Sequence, residues 1–137
     1  VTQQMQLELA AHAPLQQGLK RIGEHFMSLH ASPQAIDVMR LMVSQVKKFP
    51  DMAEAWNKRA TEGVRRALAT YLEDRAKAGE IKIKDYEIAA SVFLDLVRAR
   101  IQFRALGVPS YVASEQDIRE AVDRAVKVFT GGIEALN

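Results

Sequence analysis

The stretch from Tyr86 to Leu106 constrains the fold most. Wound as a helix, it is apolar on two sides. Ile88, Val92, Leu96, Ala99, Phe103 and Leu106 make one face; Ala90, Leu94, Val97, Ile101 and Ala105 make a second, roughly opposite. The most continuous polar strip between them is Glu87, Ser91, Asp95, Arg98 and Gln102. A surface helix buries one stripe, so a helix apolar on two sides has to be covered on two sides. A break at Gly107-Val108-Pro109-Ser110 leads into a last helix, to about residue 136. That helix carries one broad stripe, from Ile118 through Ala121, Val122, Ala125, Val126, Phe129 and Ile133 to Leu136. One chain of 137 residues can cover one face of this pair. We expect a second copy to cover the other, in a homodimer using Val92, Leu96, Ala99, Phe103, Val122, Val126, Phe129 and Ile133.

The rest of the chain is helical in pattern as well. Residues 1–12 read as the back half of a helix that begins upstream, because they start without a capping residue. Pro14 opens a helix over 15–30, with Leu15, Leu19, Ile22, Phe26 and Leu29 at the spacing of one buried face. Ser32-Pro33 supplies a cap and a first-turn proline for a third helix, to about Lys48. Phe49-Pro50 breaks the chain, and Asp51 with Glu54 reads as a capping box for a long helix ending near Ala78-Gly79. Ile81-Lys82-Ile83 is too short and isolated for a sheet. Asp85 caps the two-faced helix, and Ser114 with Asp117 caps the last. The expected fold is an all-α antiparallel bundle of five helices plus part of a sixth, with a single domain over residues 13–137. Short connections make sequential helices neighbours.

Composition excludes several functions. There are no cysteines, so there is no disulfide framework, thiolate metal site or cysteine nucleophile. The reading is of a cytoplasmic chain with no membrane partner, since no apolar run approaches the ~20 residues of a membrane span. A net charge of +2 does not make a basic stripe for nucleic acid. His12, His25 and His30 have no carboxylate at metal-helix spacing, and no phosphate-binding glycine loop or Gly-x-Ser-x-Gly elbow occurs. No catalytic residue, metal or cofactor is expected.

A small-molecule cavity is the sharper expectation. Met27, Met39, Met42 and Met52 cluster within residues 27–52, and methionine suits surfaces that accept varied apolar shapes. Wheel position nominates Phe26, Met27, His30, Met39, Met42, Val46, Trp56, Arg59, Phe93, Val97 and Arg100 as the lining, with Gln45 a further polar candidate. The occupant would be a small apolar or aromatic molecule. The plainer alternative is that these residues are solid core and the chain is a helical protein-interaction module.

Several segments together resemble a known family. They are Phe49-Pro50-Asp51-Met52-Ala53-Glu54-Ala55-Trp56, Arg65-Arg66-Ala67-Leu68, Gly79-Glu80-Ile81, Ala89 to Leu96, Arg104-Ala105-Leu106-Gly107, and Ile118 to Phe129. Their order and spacing resemble the C-terminal regulatory domain of TetR-family transcriptional repressors of the AcrR/AefR-like branch, from about Pro14 to Leu136. The resemblance implies an effector-binding domain that dimerises through its last two helices. It also implies an N-terminal helix-turn-helix domain that binds operator DNA and is released by effector. Residues 1–12 would then be the end of the linking helix. The sequence holds no Thr-x-x-x-Ile-Ala stretch and no Gly-Val-Ser turn. Operator binding is therefore expected only through a domain outside this sequence.

Overall fold

The computed structural model describes residues 11–137, and the expected linking-helix segment lies largely outside them. Five α-helices follow in order: α1 Leu15–His30, α2 Pro33–Gln45, α3 Pro50–Lys77, α4 Tyr86–Gly107 and α5 Glu115–Gly132. A 3₁₀ turn, Ile133–Leu136, closes the chain.

The helix ends follow local chemistry. The Ala35 amide donates to Ser32 Oγ (3.2 Å) at the start of α2, where Pro33 occupies the first turn. The Ile88 amide donates to Asp85 Oδ1 (3.0 Å) at the start of α4. Ser114 and Asp117 cap α5 reciprocally, each side chain accepting from the other's backbone amide at 3.0 Å. Gly79 ends α3 with φ +82°, a left-handed conformation that costs glycine nothing.

Two expectations are corrected here. Asp51 is not a cap: α3 starts at Pro50, Phe49 stands at the cap position without a side-chain bond, and Asp51 is inside the first turn. Proline fixes its own φ for the first turn and lacks the amide a cap would satisfy, so it displaces the start by one residue. α2, the third helix expected from the sequence, stops at Gln45 rather than near Lys48. Pro50 disfavours helical geometry at Phe49, and the chain turns before it, with the Lys48 and Phe49 amides both donating to the Gln45 carbonyl.

α4 is the spine. It packs against α3 on one side and α5 on the other, and α1 lies across α5. Ala90, Leu94, Val97, Ile101 and Ala105 face inward and are buried, with Phe93 turned toward α5, its ring 5.3 Å edge-on from Phe129. Leu19, Ile22, Phe26 and Met27 of α1 and Leu68 and Leu72 of α3 complete the core. The remaining apolar face of α4 is bare: Ile88 is 53 % exposed, Leu96 41 % and Phe103 75 %. Both faces read from the sequence exist, and this subunit covers one.

Three polar ties fix the frame. The Tyr71 hydroxyl of α3 is buried and donates to the carbonyls of Ala13 (2.8 Å) and Pro14 (2.9 Å), where the chain enters α1. Burial pushes that hydroxyl up to about 12. Arg40 of α2 donates to the carbonyls of Ala105 and Leu106 at the end of α4, a cation on the carbonyls that a helix C-terminus leaves unpaired. The Ile81–Ile83 link forms no strand; Asn137 accepts from the Lys84 amide (2.9 Å) and donates to the Lys82 carbonyl (3.0 Å).

Candidate functional site

A cavity of about 190 Å³ lies between α1, α2, α3 and α4. Leu29 and His30 reach it from the last turn of α1, Ala35 and Met39 from α2, Trp56, Asn57, Ala60 and Thr61 from α3, and Arg98 and Gln102 from α4. The lining is therefore part apolar and part polar. The His30 ring lies 4.3 Å from Phe26, centre to centre, at the boundary between cavity and core. Burial first, then the charges of Arg98 and His25, hold its imidazole below the usual 6.5. Burial likewise lowers His25.

The residues nominated from the sequence divide into four sets, the last being the exposed Arg59 and Arg100. His30, Met39 and Trp56 line this cavity. Met42 and Val46, with the other flank of Trp56, line an apolar groove of about 400 Å³ between α2 and α3 that is open to solvent. Phe26, Met27, Phe93 and Val97 are fully buried in the shared core and line neither of these two spaces. That corrects the expectation for these four: they lie on the stripe where helices meet one another, which a wheel cannot separate from a stripe that meets a ligand.

Arg59 is exposed on α3. Arg100 is exposed on the opposite flank of α4, in a polar recess with Arg104, Tyr111, Asp117, Glu120 and Arg124. There the Arg104 guanidinium lies 4.2 Å over the Tyr111 ring, and the Tyr111 hydroxyl donates to Asp117 (3.1 Å). The cation facing the cavity is Arg98, with Gln102 one turn on. Both belong to the polar strip between the two apolar faces of α4. The continuity of that strip is the sequence signal that marks them.

The expected interface residues divide too. Val92, Leu96, Ala99 and Phe103 share the outward side of α4, where Val92 is half-buried and the other three exposed. Val122, Val126, Phe129 and Ile133 are buried inside the subunit, Phe129 to 1 % exposure, and are not free to meet a partner. α5 spends its single stripe on α1 and α4. Its outward side carries Arg124, Val128 and the open-space glycines Gly131 and Gly132.

Among the described residues no group of three or more His, Cys, Asp or Glu side chains converges as a metal site, and no helix is long and apolar enough to cross a membrane. Fold and cavity together define an all-helical domain built around one central helix, with an amphipathic recess on one flank and an uncovered apolar face on another. Residues 17–132 match the family of AefR-like transcriptional repressor C-terminal domains, and the chain belongs to that family, which is regulatory rather than enzymatic. Among solved structures, the fold is similar to that of a protein described as a TetR-family transcriptional regulator from Mesorhizobium loti MAFF303099, at a TM-score of 0.84 and 18 % identity. The similarity covers 93 % of this chain but 63 % of that one, so this chain spans less than two thirds of that protein's length. The comparison with curated proteins finds no significant match.

Proposed function

We propose that this domain binds a small effector molecule and dimerises, and that in a longer protein it controls an N-terminal operator-binding domain. The observation that supports this reading best is the double use of α4. Arg98 and Gln102 reach the cavity from it, while Leu96 and Phe103 of the same helix stand uncovered. An exposed apolar row along several turns of helix is the usual mark of a protein interface. A second copy related by twofold symmetry would meet it with the same row. Cavity and interface then share a rigid element, and a ligand that alters one is felt at the other.

The route to the upstream segment follows from the polar ties. A ligand held between α2 and α3 favours one tilt of α3. Tyr71 of α3 holds the Ala13 and Pro14 carbonyls, so that tilt moves the chain at its entry to α1. Arg40 fastens α2 to the end of α4 and carries the same displacement toward the interface. In a dimer, two such displacements change the spacing of two DNA-reading heads, which must match the ~34 Å repeat of successive major grooves. The mechanism is population shift, with a coupling of about 1–3 kcal/mol between effector and operator.

Trp56 is the single tryptophan and borders both the cavity and the α2–α3 groove, so its emission reports occupancy of either. A panel of small amphipathic molecules should shift or quench it saturably. Silence across the panel would leave a dimerising or protein-interaction module without an effector site.

A further inference from the structure

The cavity that the proposed effector role relies on has a chemical asymmetry that narrows its ligand. Of the ten side chains around it, one is a formal cation, Arg98, and none is a carboxylate. Arg98 gives Asp95 one hydrogen bond, from Nη2 at 2.8 Å, along its own helix. Asp95 lies largely in solvent (63 % exposed), whereas Arg98 is mostly covered (27 %). Among the described residues, the Arg98 side chain makes no hydrogen bond beyond the one to Asp95, the side chains of His30, Asn57 and Gln102 make none, and no donor of Arg98, His30 or Gln102 is a buried orphan. Nη2 carries two N–H groups and Asp95 takes one, so the other can pair with the adjoining N–H of Nε or Nη1 to give a planar carboxylate two parallel bonds. The charge of Arg98 also reaches across the space, since it helps to hold His30 below its ordinary value.

Size sets the rest of the ligand. A buried apolar cavity of ~150 Å³ takes up benzene. About 190 Å³ therefore holds one ring and a tail of a few atoms. Leu29, Met39, Trp56 and Ala60 supply apolar lining for the ring. We propose that the cavity takes a single-ring aromatic monocarboxylate, its ring against Trp56 and Met39 and its carboxylate on the open side of Arg98, with His30 and Gln102 as neighbouring donors. A cation is disfavoured there because the lining itself holds no carboxylate and the one beside it, Asp95, is already paired with Arg98 and lies largely in solvent.

The proposal rests on the effector reading, and one experiment separates the two. Three probes of one shape are titrated into the protein by calorimetry and Trp56 emission: 3-phenylpropanoate, 3-phenylpropan-1-ol and 3-phenylpropan-1-amine. The carboxylate should bind at least about tenfold more tightly than the alcohol, with the amine weakest. In Arg98→Gln the carboxylate should fall to the level of the alcohol, while the affinity of the alcohol stays unchanged and so reports an intact cavity. Equal or tighter binding of the alcohol or amine overturns the monocarboxylate assignment and leaves the effector reading standing. Carboxylate affinity that survives Arg98→Gln overturns it as well. No binding by any of the three at millimolar concentration overturns the assignment, and the wider Trp56 panel then decides whether the effector reading falls with it.

Discussion

Substituting Phe103 by Asp tests the outward face of α4 where its consequence is largest. Phe103 is 75 % exposed in the subunit and stands on the row that begins at Ile88. A phenylalanine buries ~150–250 Å² when fully covered, so roughly 150 Å² of it remains to be covered here. At ~25 cal/mol/Å² that is about 3–4 kcal/mol per copy. Twofold symmetry counts it twice. Incomplete coverage and side-chain ordering reduce the sum, yet half of it is still about 4 kcal/mol, a factor of ~10³ in the dimer dissociation constant. Enclosing an unpaired carboxylate adds in the same direction. Sedimentation equilibrium should find Phe103→Asp folded, with unchanged helical circular dichroism, and monomeric at concentrations where the parent protein is dimeric. A folded variant with the parent's dissociation constant would refute the assignment of this face. Phe129→Asp is the contrasting control. That ring is 1 % exposed and packs edge-on against Phe93, so the change should unfold the subunit instead of dissociating it.

Further outcomes follow from the polar ties and the cavity. A Cβ at Gly18 would come within 2.0 Å of the Tyr71 hydroxyl oxygen, so Gly18→Ala should lower thermal stability by about 1–3 kcal/mol although alanine gains ~1 kcal/mol in helix propensity; an unchanged or raised melting temperature would mean that Tyr71 is free to move. Because Tyr71 is raised to about 12 from an ordinary 10.0, its contribution is complete below pH 10 and lost as pH rises through 12. Chemical denaturation across that window should fall more steeply for the parent than for Tyr71→Phe. The His30 imidazole should titrate below 6.5 by NMR and move back toward it in Arg98→Gln, with burial and the charge of His25 keeping part of the depression; no movement would mean that Arg98 does not act on the cavity. Arg40→Met frees the carbonyls of Ala105 and Leu106 and should cost about 1–2 kcal/mol, with faster amide exchange in the turn after α4.

Most of the fold was legible in the sequence because helices announce themselves through spacing and caps. The observed α1 coincides with the expected span, and Ser32, Asp85 and Ser114 cap as their positions imply. Pro50 misled at one boundary, where proline's own geometry outweighs an Asp-x-x-Glu pattern. The two apolar faces of α4 were legible, but periodicity is symmetric about the helix axis. Only packing tells that Leu94 and Val97 point inward while Leu96 and Phe103 point out. The same limit explains the site. Phe26, Met27, Phe93 and Val97 share helical spacing with true cavity residues, and whether neighbouring stripes interlock or gape depends on interhelical distance, which one sequence does not encode. His30, Met39 and Trp56 line the cavity and are only partly buried, unlike the four core residues. Arg98 and the expected Arg100 differ by two positions, a rotation that carries the side chain from one flank of α4 to the other.

The central claim is that α4 has more apolar surface than its own chain covers and that a second copy covers the remainder. Light scattering of the unmodified protein, followed from sub-micromolar to high micromolar concentration, measures this directly. The account predicts a mass twice the chain's 15.3 kDa, stable over most of that range. A mass of one chain at every concentration, with the Phe103 face open to water, would contradict it.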